Sequence, residues 1–182
     1  MREEQLDRAF ANRIASFAPF RTWVLAQTKF SSFAEEAQLL QEEQAQSRPR
    51  TKPENWWKHW WCRLDDGSES ETDIFVVLSL SSKDKRIALH VENKPPHGRF
   101  TPDQAVNYPR RAEFMANKKR YLTYTEYACV LLAPQAFLDA NLPAVRHFDS
   151  VLAYESIAVI IPEFAASLEE GAKKRMSRRS GC

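Results

Sequence analysis

Two runs of β-forming residues, ETDIFVVLSL (71–80) and RIALHVEN (86–93), are separated only by the turn SSKDK. So short and polar a connection leaves the two runs little choice but to pair antiparallel. A third apolar run, YACVLLA (127–133), follows a helical stretch that starts at Thr101-Pro102-Asp103-Gln104. That start carries an N-cap threonine, a proline at N1 and a glutamine at N3, and predicts a helix over 102–118 which Pro109 kinks or shortens. A crossover of that length allows the third strand to lie parallel to an earlier one.

Upstream, Leu6, Phe10, Ile14 and Phe17 recur at helical spacing and predict a helix over 2–17. A second helical pattern starts at Phe20 or Arg21 and is expected to run to about Gln46, with Ser31-Ser32 as the place for a break, and with Phe30, Phe33, Ala37, Leu40 and Gln44 on one stripe. A polar connector, 47–55, leads to WWKHWWCRL, read as a further strand whose tryptophans pack inside. A base-stacking platform is the rarer use of such rings. The order α, α, β, β, β, α, β predicts an α/β domain with a small mixed sheet flanked by helices. Residues 1–30 form its helical extension, 30–135 its core, and 171–182 a flexible basic tail.

Composition removes several functions. With 4 glycines in 182 residues there is no GxGxxG and no GxxxxGK[ST], which disfavours common nucleotide-binding loops. Cys62, Cys129 and Cys182 lie far apart and suggest no disulfide framework, which fits a reducing cytoplasm. No apolar run approaches a membrane span, and the charged start MREEQLDRAF is unlike a secretory signal. The net charge is only +2, but basic residues cluster. One group is Lys173, Lys174, Arg175, Arg178 and Arg179. Another holds Arg110, Arg111, Lys118, Lys119 and Arg120, of which Arg110, Arg111 and Lys118 are candidates to meet phosphates.

The chemistry concentrates on the hairpin. Strand alternation puts Ala88, His90, Glu92 and Lys94 on one face and Leu89, Val91 and Asn93 on the other. Glu71 and Asp73 share a face of the preceding strand, and pairing brings Asp73 beside Glu92. Adjacent carboxylates repel unless a cation or a shared proton separates them. Lys94 supplies part of that compensation, and a hard divalent ion would supply the rest. Such a site suits metal-assisted hydrolysis of a phosphodiester. On these residues alone, an ion-pair ladder on the sheet surface is the favoured account.

The chain resembles the PD-(D/E)XK nuclease superfamily. The resemblance is carried by Asp73, by Glu92-Asn93-Lys94, by Gln104 and Tyr108 at i and i+4, and by the order of elements. It covers roughly residues 30–135, with Thr72-Asp73 in place of the usual Pro-Asp. It implies a restriction-endonuclease-like core, α-β-β-β-α-β, and a Mg²⁺- or Mn²⁺-dependent nuclease acting on DNA. It assigns metal binding to Asp73, Glu92, the backbone carbonyl of Asn93 and a glutamate of the first core helix, best matched by Glu43. Lys94 would orient and activate water, and Gln104 and Tyr108 would support the site. His90 and His97 lie nearby, with packing the simpler account of His90. A homodimer would suit a nuclease cutting both strands. The alternative is the same fold as a catalytically silent binding or scaffold protein.

Overall fold

The computed structural model describes residues 1–179; the side chains of Lys83, Arg175, Ser177, Arg178 and Arg179 lie outside that description, as do residues 180–182. Helices α1 (Glu3–Ser16) and α2 (Ala18–Ala26) are separated by Phe17, and Pro19 enters the first turn of α2. Leu6, Phe10 and Ile14, spaced by four, are fully or almost fully buried, so α1 packs into the core rather than extending from it.

The helical pattern expected over 20–46 ends at Ala26, ahead of the break marked by Ser31-Ser32, and most of its second half is not helical. After α2 the chain forms β1 (Ala37–Leu39) and a short α3 (Gln41–Gln46). β1 pairs antiparallel with β4 (Ile74–Leu80), Ala37 opposite Leu80. Where β1 ends, Gln44 takes over the exposed edge of β4. Its amide accepts from the Val77 N–H at 2.7 Å and donates to the Phe75 carbonyl at 3.1 Å. A buried amide thus satisfies backbone groups that would otherwise be orphaned.

The tryptophan-rich run supplies β2 (Trp60–Arg63), but β2 joins a separate ribbon with β3 (Glu69–Thr72) and not the central sheet. The expected single strand over 71–80 is accordingly two strands, β3 and β4, which meet at a bend on Asp73. β5 (Lys85–Asn93) pairs antiparallel with β4, Ile74 opposite Val91. α4 (Gln104–Met115) then crosses over, and β6 (Glu126–Ala133) lies parallel to β5. Residues 101–103 form a turn before α4, so the helix begins later than its capping pattern suggests and holds Pro109 inside. Short helices α5 (Gln135–Ala140) and α6 (Leu142–Val145) lead to β7 (Ser150–Ala153), parallel to β6. α7 (Tyr154–Ile157) and α8 (Pro162–Arg179) close the chain. Residues 171–179, expected in a tail, continue α8.

The sheet order is β1-β4-β5-β6-β7, a mixed five-stranded sheet with helices on both faces. Ile74, Val76, Leu89, Val91 and Val130 meet α1, α2 and α8 on one face. Phe75, Val77, Ala88, Cys129 and Leu131 meet α4, the ribbon and the α5–α6 segment on the other. Among the described residues no helix is long and apolar enough to cross a membrane.

Candidate functional site

β4 and β5 are paired in a fixed register, and one further step places Asp73 opposite Glu92. Asp73 sits at the bend where β3 leaves for the ribbon; Glu92 lies one residue from the carboxyl end of β5. Glu92 is fully buried and Lys94 is 6% exposed. Lys94 Nζ lies 2.5 Å from Glu92 Oε1, and Gln104 Nε2 donates to the same oxygen at 2.7 Å. Gln104 Oε1 accepts the Thr101 N–H at 3.1 Å. The glutamine therefore ties the start of α4 and holds Glu92 with one side chain.

Tyr108 follows one turn later. Its hydroxyl donates to the Val91 carbonyl at 3.3 Å. Burial first, then the nearby Asp73 and Glu92 carboxylates, push its pKa well up, so it stays a neutral donor. Asp73 accepts the Asn93 N–H at 3.1 Å. Burial, then the charges of Glu92 and Asp7, raise the Asp73 pKa well above the ordinary carboxylate range.

Sequence reasoning missed the contribution of α1. Asp7 is almost buried and accepts from the Asn93 amide at 2.6 Å, while Tyr154 donates to the oxygen of that amide. The Asn93 side chain is thus clamped on the face opposite Glu92, as strand alternation requires. Burial foremost, against the Asn93 hydrogen bond, pushes Asp7 up to about 8. Glu3, one turn earlier, is raised by burial and feels both Lys94 and Glu92. A signal was present: Asp7, Ala11 and Ile14 share the buried stripe of α1, where a carboxylate is out of place without a partner.

Other expected residues are elsewhere. Glu43 is half-exposed on α3 and pairs with Arg86 at 3.0 Å. Arg86 stands six residues before Glu92 on β5, roughly 20 Å along the strand, so Glu43 does not join the carboxylates. Arg111 is 2% exposed, with its guanidinium 3.8 Å from the Tyr108 ring centre and one N–H on Ser70. Burial removes it from any phosphate-facing surface. Arg110 is exposed but tied to Asp66 at 2.6 Å, and Lys118 is exposed with its Nζ over the Phe114 ring. His90 is fully buried between the Thr72 and Tyr124 hydroxyls, 3.1 and 3.0 Å away. Tyr124 donates onward to the Ala112 carbonyl, so it accepts from His90 Nε2–H, and Nδ1 accepts from Thr72. Burial lowers the pKa of this ring well below its usual value. His90 packs; it is not a ligand in this arrangement.

Glu92 Oε2 tests the fit of a cation. It is buried without a satisfied hydrogen bond of its own, and it faces the Asp73 carboxyl, whose pKa is raised in part by a side-chain hydrogen bond with Glu92, so the pair shares a proton where no cation separates them. A buried carboxylate oxygen facing a second carboxyl is the environment a hard cation satisfies, and the donors are all oxygen, as Mg²⁺ or Mn²⁺ prefers. Among the described residues, no three His, Cys, Asp or Glu side chains converge as a ready ligand set. A cation here would rest on two carboxylates, backbone oxygen and water. Comparison with protein-family models, with curated proteins and with solved structures finds no match to this chain.

Proposed function

We propose that the chain is a divalent-metal-dependent phosphodiester hydrolase, a nuclease acting on DNA, built on a restriction-endonuclease-like core. The observation that carries this reading is Glu92: buried, held through one oxygen by Lys94 and Gln104, and facing the raised Asp73 carboxyl with the other. A buried carboxylate pair half-compensated in this way costs stability, which a binding or catalytic use explains. The order of one helical layer, three antiparallel strands, a crossover helix and a parallel strand agrees with the core that the PD-(D/E)XK resemblance implies.

Asp73, Glu92 and the Asn93 carbonyl would hold the metal. Bound there, Mg²⁺ or Mn²⁺ supplies Lewis acidity toward a phosphate oxygen and lowers the pKa of water. Lys94 spends one N–H on Glu92 and has two more to orient an attacking water and a phosphate oxygen. Its charge offsets the negative charge that grows on phosphorus oxygens as water adds. Water's oxygen bonds to phosphorus as the P–O ester bond breaks; water gives one proton to solvent, the leaving oxygen takes one from solvent, and a phosphate monoester and a free hydroxyl remain. Gln104 and Tyr108 position Glu92 and the end of β5.

The test is cleavage of linear, circular and single-stranded DNA in Mg²⁺, Mn²⁺ or EDTA, beside Lys94→Ala and Lys94→Met. Metal-dependent cleavage lost in both variants is expected. Because Lys94 is buried, circular dichroism must show both variants folded, and Met preserves most of the lost volume. Absence of cleavage together with absence of Mn²⁺ binding by the wild type would overturn the reading and favour a catalytically silent module.

A further inference from the structure

The four tryptophans of the WWKHWW run do not share one fate. Trp56, Trp57 and Trp60 are at most 2% exposed, but Trp61 is 45% exposed. Its backbone is fixed: it pairs with Glu71 across the ribbon, and its carbonyl accepts the Tyr121 hydroxyl at 2.9 Å. A large ring is therefore presented to water from a rigid strand, which costs little ordering entropy on contact.

Cations surround it. Trp61, Arg63, Glu69 and Arg120 line a shallow concavity of about 280 Å³. Arg120 lies over the Tyr121 ring at 5.5 Å, and Arg48 over Trp60 at 4.7 Å. Two carboxylates share the outer face of the ribbon. Glu71 is held by His59, and Glu69 meets Arg63 at 3.8 Å with both side chains largely exposed. An exposed pair of that kind is weak, and a phosphate can replace the carboxylate on Arg63.

We propose that this outer face of the β2–β3 ribbon is a docking platform for single-stranded nucleic acid, with Trp61 stacked on an unpaired base and Arg63 and Arg120 on flanking phosphates. A duplex offers no free base face for the indole, whereas a single strand offers one at every nucleotide. Position supports the choice. Glu71, opposite Trp61, is two residues from Asp73 along β3, about 7 Å of strand. A strand bound on the ribbon lies next to the carboxylates. The proposal rests on the reading of Asp73 and Glu92 as a phosphodiester site, and its test is separable from that reading.

The experiment is fluorescence anisotropy with a labelled oligothymidine of about 15 nucleotides, in EDTA so that no cleavage is needed. Trp61→Ala is expected to weaken binding about tenfold, within the range for loss of one stacked base. Arg63→Ala with Arg120→Ala is expected to weaken it further and flatten its salt dependence. Equal binding of wild type and Trp61→Ala, or tighter binding of a duplex with the same sensitivity to Trp61, overturns the platform. Metal-dependent cleavage with an unchanged KM in Trp61→Ala would leave the hydrolase and remove the platform. Binding lost on Trp61→Ala without cleavage in any metal would do the reverse.

Discussion

The carboxyl of Asp73 is held among groups of its own sign. Glu92 and Asp7 both oppose its ionisation, and what favours the charge is a backbone N–H from Asn93. An amide at this position keeps an oxygen for that N–H and drops the charge. Asp73→Asn is therefore expected to stabilise the metal-free protein at pH 8 by about 1–3 kcal/mol, the scale of one poorly satisfied buried polar group. The same change should abolish the rise in Tm that Mn²⁺ gives the wild type. Thermal melts with EDTA and with Mn²⁺ check both halves. A variant that is less stable in EDTA, or that still responds to Mn²⁺, would show that Asp73 serves the fold and not a cation. Lys94 poses the opposite problem. It is the cation against Glu92, so its loss strips a buried carboxylate, and reading a cleavage defect in Lys94→Ala requires the folding control.

Element by element, what was legible followed local pattern. The β4–β5 hairpin and the alternation that separates Glu92 from Asn93 come from runs that dictate their own pairing. The i, i+4 placement of Gln104 and Tyr108 likewise survives Pro109. What failed was decided by tertiary contact. The tripeptide Ala37–Leu39 has no strand pattern of its own and becomes β1 because the edge of β4 needs a partner. With the long helix broken there, Glu43 goes to Arg86 and the helical carboxylates come from α1 instead. The tryptophan run shows the same limit: Trp60 and Trp61 are adjacent, and only ribbon pairing says which one is buried. Trp60→Ala is expected to cost about 3–5 kcal/mol in urea unfolding. Elements also meet at one close approach. A Cβ on Gly171 of α8 would stand 2.6 Å from Pro96 Cβ, in the loop that follows Lys94. Gly171→Ala must push α8 and this loop apart, an overpacking cost of about 1–3 kcal/mol despite the better helix propensity of alanine. A stabilised Gly171→Ala in the same unfolding assay would mean that the loop yields freely.

At the scale of the molecule, buried ionisable groups on the two faces of the sheet make stability depend on pH in opposite directions. On the α1 face, Asp7 is raised to about 8 chiefly by burial, against an unfolded value near 3.8. Between those values the folded state keeps a proton that the unfolded state has lost, so this contribution to stability fades as pH rises and is gone above about 8. Asp73 acts with the same sign. On the α4 face, His90 is held neutral, its pKa lowered by burial. The unfolded ring binds a proton below about 6.5, so this contribution is present above that pH and fades as pH falls. The two slopes oppose each other below about 6.5; above it only the acids remain. Because two acids outweigh one histidine, urea midpoints in EDTA are therefore expected to fall gently from pH 5.5 to 6.5 and more steeply from 6.5 to 8. The drop attributable to Asp7 is roughly 2 kcal/mol, one proton over that interval. Asp7→Asn keeps an oxygen for the Asn93 amide and should remove most of this drop. A midpoint that rises through the interval, or an equal drop in Asp7→Asn, would mean that Asp7 is ionised in the folded protein. The clamp on Asn93 would then be a charged one, and the carboxylate cluster would carry one more negative charge for a cation to balance.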